Sequence, residues 1–117
     1  MSLQDNTVKT DLIRSSVRLR IPLNKQSEAL DILGSVREQT QFESSCHHVR
    51  IYREANESEV IMIEELWASA EDLNRHLKSD AYRRILLVIE MAAAAPEIRF
   101  DKIIQSGGIE TIVKARR

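Results

Sequence analysis

The 117-residue chain has little of what marks many functional classes: one cysteine, two prolines, three glycines, one tryptophan, two tyrosines and two phenylalanines. The lone cysteine, Cys46, excludes an internal disulfide and fits a reducing compartment. Seventeen basic residues stand against eighteen acidic ones, a net charge of -1, so there is no electrostatic footprint for nucleic acid or a membrane surface. No apolar run reaches the length of a membrane span, and the N-terminus lacks the basic and apolar regions of a signal peptide. The glycine pair Gly107-Gly108 follows no strand-to-helix turn and is not a phosphate loop. There is no repeat, low-complexity tract or linker. These absences point to a cytoplasmic protein with no nucleic-acid or membrane partner.

With 43% apolar and 30% charged residues, the composition is that of one globular domain. Residues 11–117 are read as that domain, and residues 1–10 as a flexible polar lead-in. Ile13 to Ile21 alternate with period two and form a strand that Pro22 ends. Asn24 is placed to cap a helix carrying Leu30, Leu33 and Val36, with Ala29 and Ile32 beside them. Cys46 to Glu54 alternate again, with His47, Val49 and Ile51 on one face. Val60 to Trp67 is nearly continuous and apolar, the pattern of a central strand buried on both faces, although it contains Glu64 and Glu65. Ser69 with Asp72 opens a short helix bearing Leu73, His76 and Leu77. Ser79-Asp80 opens another, with Tyr82, Ile85, Leu86 and Ile89 together, running through Met91 and four alanines to Pro96. Ile98 to Gln105 form a fourth strand, and Ile109 to Val113 a short final one.

This order is the split βαβ of an α+β, ferredoxin-like fold, with helices covering one face of an antiparallel sheet. The other face carries arginines beside an apolar central strand, and a second copy of the sheet would bury it. A homodimer is therefore expected, with the tail of residues 107–117 reaching the partner. Arg18, Arg20, Arg50 and Glu64 would be the charged part of the interface, because buried charges need partners.

From about Leu12 to Gln105 the chain resembles the antibiotic biosynthesis monooxygenase domain family. The resemblance rests on Cys46 opening the second strand, Glu65-x-Trp67 ending the third, the cap Ser69, and Leu73-x-x-His76-Leu77. It implies a dimeric α+β barrel with a pocket between sheet and helices in each subunit. Members of the family include cofactor-free oxygenases of quinols or polyketide aromatics, haem-degrading enzymes, and an isomerase of a phosphorylated sugar. Haem-degrading members carry a tryptophan at the position of His76, an axial histidine at that of Leu86, and an asparagine near Ser16 or Val17. Those differences disfavour haem degradation here. Several quinol-oxidising members carry a further histidine where this chain has Asp80-Ala81-Tyr82.

Alternation puts Glu65 and Trp67 on one face, within reach of His76 on the next helix. A carboxylate that holds an imidazole fixes its tautomer, making His76 a candidate general base with Glu65 as its partner. The same pair also reads as a satisfied core histidine that holds the scaffold together. Ser15, His47, Trp67 and Tyr82 are candidate pocket residues. His47 and His48 point to opposite faces and cannot jointly hold a metal, so no metal and no cofactor is assigned. Cys46 lacks the surroundings that activate a thiol. The favoured reading is a cofactor-independent monooxygenase acting on a small aromatic or quinone-like molecule. The alternatives are a non-catalytic ligand-binding or stress-response module, or an isomerase of a phosphorylated metabolite anchored by Arg75, Arg83 or Arg84.

Overall fold

Period-two alternation becomes a long first strand, β1 (Val8–Arg20), in the computed structural model, which describes residues 8–117. A single 3-10 turn at Leu23–Lys25 leads into α1 (Gln26–Thr40). The chain continues through β2 (Cys46–Arg53), β3 (Val60–Trp67), α2 (Ala70–Leu77), α3 (Asp80–Glu90), β4 (Glu97–Ser106) and α4 (Ile109–Ala115). All strand pairs are antiparallel and their spatial order is β2-β3-β1-β4, the ferredoxin-like arrangement expected. Val8 to Thr10, expected within a flexible lead-in over residues 1–10, belong to β1; residues 1–7 lie outside the described residues.

One sheet face carries Val17, Leu19, Val49, Ile61 and Ile63, which pack against Ala29, Leu33 and Val36 of α1 and Ile85 and Val88 of α3. At about 25 cal/mol per Å² of apolar surface removed from water, this cluster is the main source of stability. A smaller cluster of Ile13, Trp67 and Leu73 lies beside it, and Cys46 and Leu77 touch both. β3 is fully buried on this face; on the reverse face Val60 is buried, while Met62, Glu64 and Leu66 are half-buried.

Four further local expectations are also revised. Asn24 lies inside the 3-10 turn, and α1 begins with no side-chain cap. Its entry is held instead by the buried Gln26, whose amide donates to the carbonyls of Ile21 (3.1 Å) and Ser58 (2.7 Å). At α2, Ser69 caps as expected, accepting from Asp72 N at 3.2 Å, but the Asp72 carboxylate receives the Ser69 hydroxyl (2.7 Å) rather than a backbone amide. Helix α3 buries Val88, while Leu86 faces solvent. It also stops at Glu90, because the Ala93 amide donates to the Arg20 carbonyl at 2.9 Å. This tertiary hydrogen bond outweighs the helix propensity of the alanines.

The final segment is a helix, not a strand. Its branched residues Ile109, Ile112 and Val113 recur at intervals of three and four, the spacing of a helical stripe, and Glu110 accepts the Gly108 amide at 2.7 Å in the first turn. Ile109, Ile112 and Val113 are exposed.

Candidate active site

The site grows out of the strand register. Antiparallel partners share a face, so Ser15 opposite Glu65, Ile13 opposite Trp67 and Cys46 opposite Trp67 all look toward the helices. Helix α2 follows β3 after a two-residue turn. Its Ser69 cap, worth about 1 kcal/mol, fixes the helix so that His76 comes back over the end of β3. Ser79 ties the next turn down, with its hydroxyl donating to the His76 carbonyl at 2.6 Å and accepting from Tyr82 N at 3.2 Å.

His76 Nε2 lies 2.7 Å from Glu65 Oε2, and both side chains are almost wholly buried. The contact is short, yet it lacks the alignment of a hydrogen bond. The Trp67 ring lies against the imidazole, with centroids 4.5 Å apart and planes tilted by 34°. The Tyr82 ring meets it edge-on at 5.6 Å. On the far side, His76 Nδ1 is 3.8 Å from Oε2 of the half-exposed Glu43, in the turn between α1 and β2. Glu43 carries no sequence signal beyond its charge, and only the fold reveals its position.

Several buried polar atoms here have no hydrogen-bond partner: Ser15 Oγ, Trp67 Nε1 and His76 Nδ1. Buried donors and acceptors are ordinarily satisfied. They lie on one core face, beside the buried Glu65–His76 contact, where ordered water would satisfy them. Burial first, then Glu65, raises the Tyr82 phenol above its usual value. The Cys46 thiol is pushed up to about 12 by burial, then by Glu65 and Glu43, in keeping with an unactivated core cysteine.

Among the residues singled out from the sequence, Ser15, Glu65, Trp67, His76 and Tyr82 are all buried around this point. His47 is not. A bulge between Cys46 and His48 makes His47 the extra residue, exposed to solvent, and Cys46 takes the place facing the core. Two clefts lie elsewhere. One, of about 290 Å³, opens on the reverse sheet face between Arg18, Tyr52 and Met62. The other lies beside Ser79 and Arg83 on the surface.

The reverse face carries the charges expected there, with different pairings. Glu64 is matched by Arg14 (3.3 Å) and His48 (3.2 Å), not by the three arginines anticipated. Arg18 pairs with Glu54 and Glu97, and Arg20 with Glu57. Arg50 stands across from Glu64 in register. The arginines considered as phosphate anchors are engaged locally: Arg75 with Asp72, Arg83 with Asp80, Arg84 with Ser35. Among the described residues no three His, Cys, Asp or Glu side chains converge as a metal set, and no helix is long and apolar enough to cross a membrane.

Residues 13–86 match the model of the antibiotic biosynthesis monooxygenase family. Solved structures with the same fold include a conserved Methanosarcina mazei protein, 25% identical, with a TM-score of 0.73 over 79% of this chain and 92% of its own. A Caulobacter crescentus protein provisionally named an antibiotic biosynthesis monooxygenase is 21% identical, with a TM-score of 0.73 over 81% and 92%. A Bacteroides thetaiotaomicron protein described as a possible oxidoreductase is 19% identical, with a TM-score of 0.66 over 85% and 99%. No curated protein matches the sequence.

Proposed function

Because the chain belongs to the antibiotic biosynthesis monooxygenase family, we propose that it is a cofactor-independent monooxygenase of a small aromatic or quinone-like molecule, with His76 as the base and Glu65 as its partner. The observation that carries this reading is the buried Glu65–His76 pair, set against Trp67 and beside unpartnered polar groups. With Nε2 turned to Glu65, Nδ1 is the nitrogen left to take a phenolic proton. A deprotonated, electron-rich ring can then pass electrons directly to dioxygen. For a quinol the balance closes without an added reductant: one oxygen atom enters the ring to give a hydroxyquinone, and the other leaves as water. Trp67 and Tyr82 supply apolar walls, and Ser15 Oγ and Trp67 Nε1 supply donors for the substrate's oxygens.

In this reading the protein is a cytoplasmic homodimer. Support comes from the reverse sheet face, where β3 is half-buried in the isolated subunit, and from the exposed side chains of Phe100, Ile104, Ile109 and Ile112 on β4 and α4. Large apolar side chains left exposed on two consecutive elements favour a second copy.

A ligand-binding module without turnover is the second reading, favoured by the near-complete burial of Glu65, Trp67 and His76. Oxygen uptake with a panel of quinols separates the two. The monooxygenase reading expects uptake that falls by about a hundredfold or more in His76→Ala. Saturable binding with no uptake by the wild type supports the binding module, and full turnover in His76→Ala removes His76 as the base.

A further inference from the structure

We infer that Glu43 is the solvent end of a proton path through His76, the group that carries a proton between the buried imidazole and water. The proposal rests on the reading of His76 as the base and adds a residue to it.

The His76 side chain is about 1% exposed, so a proton on its ring cannot pass straight to bulk water. Its two nitrogens face different surroundings. Nε2 meets Glu65, a carboxylate as buried as the imidazole and therefore a dead end for a travelling proton. Nδ1 faces Glu43, whose side chain is 48% exposed, 3.8 Å away. That is too long for a hydrogen bond, but a small rotation of the exposed Glu43 side chain closes the gap.

The backbone holds Glu43 in place. Its amide donates to the Thr40 carbonyl at 3.0 Å, and its carbonyl accepts from the Cys46 amide at 3.0 Å. The carboxylate is therefore carried by a hydrogen-bonded turn between α1 and β2 and stands over the end of α2. Its field reaches the core, since Glu43 and Glu65 both raise the Cys46 thiol.

The titratable groups around the imidazole are Glu65 from β3, Tyr82 from α3, Cys46 from β2 and Glu43 from the turn. Tyr82 and Cys46 hold their protons more tightly than usual and make poor carriers at neutral pH. The neighbouring Arg75 extends into solvent and pairs with Asp72. Of these acidic groups, Glu43 is the most exposed, and it borders the imidazole. The step is a simple proton transfer: the Nδ1–H bond of the imidazolium breaks, a carboxyl O–H bond forms on Glu43, and water then takes the proton. No electrons move.

The test is the exchange rate of the His76 ring N–H with water, followed by NMR on protein labelled with 15N at histidine. Exposed His47 serves as the internal reference. In Glu43→Gln, of the same size, exchange at His76 slows by roughly a hundredfold, the lower end of what a positioned proton carrier supplies. In Glu43→Ala, added formate restores the exchange. A rate unchanged or faster in Glu43→Gln, or no response to formate in Glu43→Ala, overturns the proposal. Backbone amide spectra verify that both variants keep the fold, as expected for a half-exposed turn residue. The measurement needs no substrate. A failed relay therefore leaves His76 standing as the base, and a failure of oxygen uptake leaves the exchange result standing.

Discussion

Glu65 Oε2 and His76 Nε2 lie 2.7 Å apart, with side-chain exposures of 2% and 1%. An ionisable pair removed from water to this degree is costly to split, since either partner alone would be a buried group with nothing to answer it. His76→Ala is expected to lower stability by about 3–5 kcal/mol, read from urea unfolding. Replacing both residues together, Glu65→Met with His76→Leu, should cost less than the sum of the two single changes. Strict additivity would show that the pair is not coupled.

Trp67 is the only tryptophan in the chain and lies with its ring 4.5 Å from that of His76. Its fluorescence therefore reports on the imidazole. Emission should shift in His76→Leu relative to the wild type. An unchanged spectrum would show that the imidazole does not set the surroundings of the indole. Trp67→Ala removes a ring from the smaller core cluster and should cost about 3–5 kcal/mol.

Two neutral acids in the core make the fold sensitive to alkali. The Cys46 thiol moves from 9.0 in the unfolded chain to about 12, and the Tyr82 phenol is raised above 10.0. Where the native state keeps a proton that the unfolded state has released, stability falls as pH rises. The Cys46 contribution is fully present below pH 9 and shrinks through the window from about 9 to about 12, and the Tyr82 contribution begins to shrink only above about pH 10. Urea midpoints should drop between pH 8 and pH 10.5, and by less in Cys46→Ala. The same shift predicts slow alkylation of native Cys46 at pH 8 and rapid alkylation once the chain unfolds.

The exposed apolar residues of α4 offer a test of the proposed dimer. Ile109 and Ile112 lie largely in solvent, so changing both to serine should alter the stability of a lone subunit by no more than about 0.5 kcal/mol each. Light scattering is expected to show a dimer for the wild type and a shift toward monomer for the double variant. An unchanged dimer would place the contact away from α4.

Much of this was legible along the chain. Alternation at Ile13, Ser15, Val17 and Leu19 located β1. The spacing of Ala29, Leu33 and Val36 located α1, and Ser69 and Ser79 located the starts of α2 and α3. The pairing of Glu65 with His76 followed from alternation on β3 and the offset along α2. His47 was misassigned because strict alternation cannot foresee a bulge, and the extra residue moved Cys46 onto the core face. The tail was misassigned because isoleucine and valine favour strands on average, while their spacing at 109, 112 and 113 favours a helix.

By itself the sequence determined the order of elements from β1 to β4, the ferredoxin-like topology and most of the residues facing the core, because these rest on periodicities and caps carried by neighbouring residues. Only the tertiary structure decided where α3 ends, which partners neutralise Glu64, and that Glu43 stands over His76. Each of these depends on groups brought together from distant parts of the chain: the Arg20 carbonyl reaching Ala93, Arg14 reaching Glu64, and the turn after α1 folding over the end of α2. No local pattern encodes such meetings, since they exist only once the sheet has its register and the helices have packed against it.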